Sequence, residues 1–272
     1  MKFSKMHGLG NDFILVDDLA RAIPDDSLPE LAARLNDRHF GIGGDGLILV
    51  RPSEVADFNM RVINSDGSEA EMCGNGIRCF AIFLHEHGLT EKNPVRVETG
   101  AGVLTLDVHG SNVTVDMGEP RLDRAAIPMA GEGTNFNVPL TVEGREFFVN
   151  GANMGNPHAV IFLDTLDGFA WERYGPRIST HSLFPAGTNV HFVEQTGPNE
   201  VRVKVWERGA GPTLACGTGA CAITVVAASL GKTGRKVRVN LPGGPLQIDW
   251  RADNHVFMTG PAVEVFIGEI EV

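Results

Sequence analysis

The sequence predicts an α/β protein of the α+β type, built from two pseudo-symmetric domains that arose by internal duplication. Each domain is expected to be a mostly antiparallel, barrel-like sheet around a central helix, with the active site in the cleft between them. Three observations predict it. Motifs recur in the same order at a near-constant offset, most of the chain reads as short strands of period two, and two copies of one cysteine motif each open a long apolar helical run.

The repeat comes first because the other elements are placed by it. EMCGNGIRCF at 71–80 returns as LACGTGACAI at 214–223, an offset of 216 − 73 = 143. GNDFILVD from Gly10 matches GNPHAVIFLD from Gly155 at 155 − 10 = 145, and GGDGLILV from Gly43 matches GTNVHFVEQ from Gly187 at 187 − 43 = 144. Chance similarity of Gly-rich turns explains any one pair, but three pairs in one order point to duplication. VRVET, VLTLDV, NVTVDM, VRVKVW, KVRVNL and VFMTG read as strands closed by Gly, Asn, Asp or Pro. Ser27 followed by Glu30 reads as a capping box opening the helix LPELAARLNDR. The runs after Cys73 and Cys216 are the longest helical candidates, and ACAITVVAASL, apolar all round, suits a helix enclosed by sheet. The turn GEPRLD at 118–123 marks the boundary, with residues 1–117 before it and the second half after it.

Composition narrows the function. The chain has 272 residues, 43% hydrophobic and 21% charged, with a formal net charge of −11. That charge excludes a general nucleic-acid binder, which needs clustered Lys and Arg, and favours a small-molecule partner. No run approaches the roughly 18 apolar residues of a membrane span, and MKFSKMHGLGND lacks the apolar stretch of a signal peptide, so a cytoplasmic protein away from membranes is expected.

The chemistry centres on two of the four cysteines. In both copies Cys is followed by Gly-x-Gly and a helical run, which sets the thiols of Cys73 and Cys216 at helix N-termini. The helix dipole alone would lower such a thiol by about one pKa unit. The free N–H groups at these helix starts can also hold a substrate carboxylate. Two equivalent thiols on opposite faces of one carbon supply the acid and the base that inversion of a stereocentre requires. A lone Cys before Gly is more often a small buried residue; the duplication is what favours chemistry here. Zinc is the alternative, but the spacings Cys-x5-Cys and Cys-x4-Cys fit it poorly. Cys79 and Cys221 lie inside the helices and read as packing residues.

Polar residues recur at equivalent places. Asn11 matches Asn156, and Asn64 matches Glu207 at 207 − 64 = 143. With Asn189 these asparagines read either as turn formers or as donors and acceptors for a zwitterion. Glu207 and Arg208 follow a strand and read as an exposed ion pair or as carboxylate-binding groups. His158, at the repeat position of Phe13, is a structural histidine or a group whose partial charge tunes a thiol. The other eight histidines show no ligand spacing, and neither a P-loop nor a Rossmann fingerprint is present.

These residues resemble the bacterial diaminopimelate epimerases along essentially the whole chain. The resemblance rests on KMHGLGNDF at 5–13, NSDGSEAEMCGNGIRCF at 64–80, GNPH at 155–158, GTNVHFV at 187–193, WERGAG at 206–211 and LACGTGACA at 214–222. It implies an isomerase that interconverts LL- and meso-2,6-diaminopimelate in the route to lysine and peptidoglycan, with no pyridoxal phosphate, other cofactor or metal. It implies Cys73 and Cys216 as the acid/base pair, with His158 and Glu207 as tuning partners, His158 for Cys73 and Glu207 for Cys216. Asn11, Asn64, Asn156, Asn189, Glu207 and Arg208 are implied to contact substrate, and Gly74, Asn75, Gly217 and Thr218 to hold a carboxylate at the helix starts. It also implies that the second domain covers 118–262 and that 263–272 returns to the first, with Phe266 at a homodimer interface. Two positions depart from the family pattern: Gly46 stands where many relatives carry Gln, and Pro212 replaces a polar residue. A proline racemase-like enzyme would share the paired cysteines, but NDF at 11–13 and WERGAG tell against it. A thiol-disulfide switch lacks its C-x-x-C.

Overall fold

Two residues at positive φ, Leu9 at 57° and Gly10 at 86°, reverse the chain between strands β1 (Lys2–Gly8) and β2 (Asn11–Asp17) and pair them antiparallel. The computed structural model describes residues 1–271. From β2 the chain crosses through helix α1 (Leu28–Asn36) to β3 (Gly46–Arg51), parallel to β2, and turns back antiparallel as β4 (Phe58–Asn64). The short β5 (Glu69–Ala70) adds to β4 and leads into helix α2 (Gly74–Glu86). Strand β6 (Val95–Thr99) runs parallel to β4, and β7 (Gly102–His109) and β8 (Asn112–Asp116) follow as a meander. Helix α2 is buried from Asn75 to Leu84 on all faces, as a helix wrapped by sheet must be.

The second unit repeats this path. After β9 (Val138–Val142) come β10 (Arg145–Asn153) and β11 (Pro157–Leu163), then helix α3 (Trp171–Ser179). Next are β12 (Asn189–Gly197), parallel to β11, β13 (Glu200–Glu207), β14 (Gly211–Pro212) and the buried helix α4 (Gly217–Ser229). Strand β15 (Lys236–Leu241) is parallel to β13 and pairs with β16 (Gly244–Trp250). The chain ends with β17 (Val256–Pro261) and β18 (Val263–Glu269), the latter antiparallel to β1.

The hydrogen-bond register carries the duplication further than the motifs do. Gly46 lies opposite Phe13 and Asn64, while Asn189 lies opposite His158 and Val190 opposite Trp206. Positions 46 and 189 are therefore equivalent, at 189 − 46 = 143, the offset that also relates Asn64 to Glu207 and Cys73 to Cys216. The offset of 144 read from Gly43 and Gly187 is corrected by one residue, because the preceding turns differ in length and only the strands hold register.

The chain divides into two compact units, Met1–Asp116 with the segment from Thr259 onward, and Met117–Met258. The return to the first unit begins at Thr259, ahead of residue 263. Thr259 Oγ1 lies 2.8 Å from Thr114 Oγ1 and Ala262 N donates to Ser111 O, so this segment is already bonded beside β8.

One local expectation changes. Ser27 forms no capping box: a 3-10 turn at Asp25–Ser27 has already put it in helical conformation, and its hydroxyl turns back to Pro24 O at 2.7 Å. Helix α3 carries no sequence signal of its own, since WERYGPRIS contains Gly175 and Pro176. Tertiary packing explains the glycine, because a Cβ at 175 would lie 2.9 Å from the Trp206 side chain.

Candidate active site

Each Gly-x-Gly motif does local work before it does chemistry. Cys73 and Cys216 have extended φ/ψ (−133°, 116° and −132°, 103°) and are the N-cap residues of α2 and α4. This puts the four backbone positions expected to hold a carboxylate, Gly74, Asn75, Gly217 and Thr218, in the first turns of the two helices.

In the first unit the Cys73 thiol accepts from Gly76 N at 3.4 Å and lies 3.7 Å from Asn11 Oδ1. Asn11 is held in place: its Oδ1 accepts from Asn75 Nδ2 at 3.0 Å and its Nδ2 donates to Asp45 Oδ2 at 2.6 Å. Arg78, fully buried, donates to Asn75 Oδ1 at 3.0 Å and to Gly74 O at 2.8 Å, fixing the start of α2. Asp12 next to Asn11 binds Lys5 at 2.5 Å and Arg38 at 2.7 Å. Burial would raise its pKa, but hydrogen bonds and charge from Arg38 and Lys5 prevail and hold it at about 2. Asn64, at the end of β4, donates to Ser68 Oγ at 2.9 Å.

In the second unit the Cys216 thiol is buried, 3.7 Å from Thr218 Oγ1, and hydrogen-bonded to the Glu207 carboxylate. Burial first, and then the negative charge of Glu207, push this thiol well above its ordinary value, against the pull of Thr218 and the Gly219 amide. The expected lowering by the helix dipole is therefore overturned at Cys216: desolvation outweighs a helix-end effect of about 1 kcal/mol. Cys216 rests as a thiol. Glu207 is itself raised by burial, with Thr213 first and then Cys216 opposing.

His158 sits in this unit as well, at zero exposure. Its Nε2 is 2.7 Å from Asn156 Oδ1 and its Nδ1 is 2.9 Å from His191 Nε2. Burial, then the electrostatic influence of His191 and of the Arg208 cation, holds His158 well below its ordinary value, and burial alone holds His191 at about 3. Both rings are neutral at pH 7, and both nitrogens of His158 are engaged. Asn189 uses its amide on backbone, donating to Pro157 O at 3.0 Å and accepting from Arg208 N at 2.9 Å. The exposed Arg208 donates to Ala186 O at 2.9 Å. Cys79 and Cys221 are buried in their helices, and burial pushes the Cys79 thiol up to about 12.

Sequence reasoning missed Asp45, Arg78 and His191. Arg78 was detectable as a charge inside an apolar helical run, and His191 as the position equivalent to Ile48, at 191 − 48 = 143.

The buried histidines set the acid stability. In the unfolded chain His191 takes up a proton near pH 6.5, whereas in the fold it does so only near 3. Stability present above pH 6.5 is therefore lost as pH falls toward 3, by about 2 kcal/mol from His191 at pH 5. Asp12 adds its loss only below pH 3.8. Urea unfolding at pH 7.5, 6 and 5 checks this; a flat response across that range would show the rings to be hydrated.

Comparison with known proteins places these half-sites in a class. A Bacillus anthracis phenazine biosynthesis protein of the PhzF family superposes with a TM-score of 0.74 at 17% identity, covering 100% of this chain and 99% of that one. A hydroxyproline epimerase from Agrobacterium vitis gives 0.67 at 17% identity, covering 98% and 91%. The protein is thus a duplicated α+β protein of this shared fold, with one helix-start cysteine per unit. The model for diaminopimelate epimerase matches residues 3–122 and 151–265. Relatives of that name from Carboxydothermus hydrogenoformans and Desulfitobacterium hafniense are 54% and 53% identical, covering 99% and 98% of this chain and 99% and 97% of theirs. The chain belongs to the diaminopimelate epimerase family.

Proposed function

We propose that the protein interconverts LL- and meso-2,6-diaminopimelate by moving the α-proton between Cys73 and Cys216, without pyridoxal phosphate or metal. The observation that carries this reading is the equivalence of the two cysteines, each at the first turn of a central helix in a chain of this family. With Cys216 held as a thiol, it serves as the acid, and Cys73 as thiolate removes the proton from the opposite face of the α-carbon; the reverse reaction exchanges the roles. The helix-start amides at Gly74, Asn75, Gly217 and Thr218 take the α-carboxylate. Asn11, Asn64, Asn156, Asn189, Glu207 and Arg208 take the remaining charged ends, and that binding energy helps exclude water from the thiols.

Glu207 tunes Cys216 through the hydrogen bond and charge described above. His158 is assigned to Cys73 as a neutral hydrogen-bonding group; both its nitrogens are engaged in the structure, so this role exchanges one of those bonds for the thiol. Val263, Val265, Phe266 and Ile267 are 44 to 61% exposed on β18, an apolar stripe that suits a homodimer interface. Among the described residues no helix is long and apolar enough to cross a membrane. The same reading gives a cytoplasmic enzyme of lysine and peptidoglycan-precursor synthesis. Incubation with LL-diaminopimelate in deuterated water under reducing conditions is expected to yield the meso isomer with deuterium at the inverted α-carbon. Exchange of proline instead, or no exchange, refutes the assignment.

A further inference from the structure

The second unit contains a polar cluster that the fold does not require. His158 and His191 occupy the positions equivalent to Phe13 (158 − 13 = 145) and Ile48 (191 − 48 = 143), so one copy of the duplicated core fills this space with apolar side chains and the other with two imidazoles. The donor atoms of His158, His191 and Cys216 all lie within 4.8 Å of one another, and all three residues are buried. Asn156 Oδ1 can only accept, so His158 carries its hydrogen on Nε2 and offers Nδ1 as a lone pair toward His191 Nε2–H. His191 Nδ1 is then a lone pair as well. It is buried and has no hydrogen-bond partner. Such an atom ordinarily carries the full desolvation cost of an unmade hydrogen bond, which makes this cluster unusual for a purely structural one. Gly219 keeps the space open, since a Cβ there would lie 2.7 Å from His191 Nε2 and 3.1 Å from Cys216 Sγ.

We propose that His158, His191 and Cys216 form an inhibitory binding site for a thiophilic divalent cation of the zinc class. Zn–N bonds of about 2.0–2.1 Å and a Zn–S bond of about 2.3 Å in tetrahedral geometry separate the donor atoms by about 3.3 to 3.6 Å, within the observed cluster. The Nε2–H of His158 on Asn156 is the type of outer bond that orients a metal-bound imidazole. Binding is balanced by proton movement alone. The Cys216 S–H bond breaks and an S–metal bond forms, with the proton leaving through Glu207 to solvent. His191 moves its proton from Nε2 to Nδ1, freeing Nε2 for the metal, while His158 binds through Nδ1. One proton is released and nothing is oxidised or reduced. A metal-bound Cys216 carries no exchangeable proton, so the cation stops the reaction; this last step alone rests on the function proposed above.

Cobalt(II) titration of the reduced protein is the test. The wild type is expected to develop a thiolate-to-cobalt charge-transfer band at one metal per chain, abolished by zinc, with one proton released. Cys216→Ser and His191→Ile, the latter placing at 191 the residue type found at Ile48, are expected to lose the band or weaken binding at least tenfold. The turnover that remains in His191→Ile is also expected to resist zinc at least tenfold better than that of the wild type. No band in the wild type, a band that survives Cys216→Ser, or equal zinc inhibition in His191→Ile overturns the proposal. A band in a protein without epimerase activity keeps the metal site and refutes the functional reading instead.

Discussion

Alanine at Cys73 or at Cys216 lowers kcat for diaminopimelate by about 10²–10⁴-fold in both directions, the usual range for removal of one positioned acid or base. Both directions suffer because every turnover uses one thiol to remove the proton and the other to return one. Cys79→Ala and Cys221→Ala, which remove buried thiols from the same two helices, leave kcat near wild type. Steady-state rates from each stereoisomer measure all four, and loss in only one direction would break the two-base reading. Glu207→Gln separates the roles further. It removes the charge that helps keep Cys216 protonated, so the Cys216 titration moves to lower pH.

Gly219→Ala is expected to destabilise the protein by about 1–3 kcal/mol, as overpacking of a filled core does, and to reduce turnover as the start of α4 shifts. The added Cβ would press on the His191 ring, 2.7 Å from Nε2, and that ring is tied in place by its hydrogen bond to His158. Gly76→Ala is the control at the equivalent position (219 − 76 = 143). Its nearest neighbour would be Ile48 Cδ1 at 2.9 Å, the flexible end of a side chain. There the gain of up to about 1 kcal/mol for Ala over Gly inside a helix offsets most of the contact. Urea midpoints of the two variants at pH 7.5 decide the matter; equal losses would mean that the His191 ring does not confine the start of α4.

The parts of the site written in short range were legible before any coordinates. Cys-Gly-x-Gly before an apolar run specifies a helix with a thiol at its N-cap, and both α2 and α4 begin one residue after the cysteine. The repeat told which residues are equivalent, and the strand register then corrected one offset from 144 to 143. Ser27 shows the limit of a local rule, since the 3-10 turn had already made it helical, whereas a capping box presupposes an extended N-cap. Helix α3 shows another, because Gly175 reads as a breaker yet is required by the Trp206 side chain from a distant strand.

By itself the sequence determined the duplicated fold, the two helix-start thiols and the family. Only the tertiary structure decided how Cys216 and its neighbours are charged. Cys216 is raised instead of lowered because it is desolvated beside Glu207, and His158 is neutral because it is buried against His191, thirty-three residues away. Helix starts and strand periods arise from neighbours a few residues apart, so a sequence displays them directly. Desolvation and cross-strand contact arise from residues that only folding brings together.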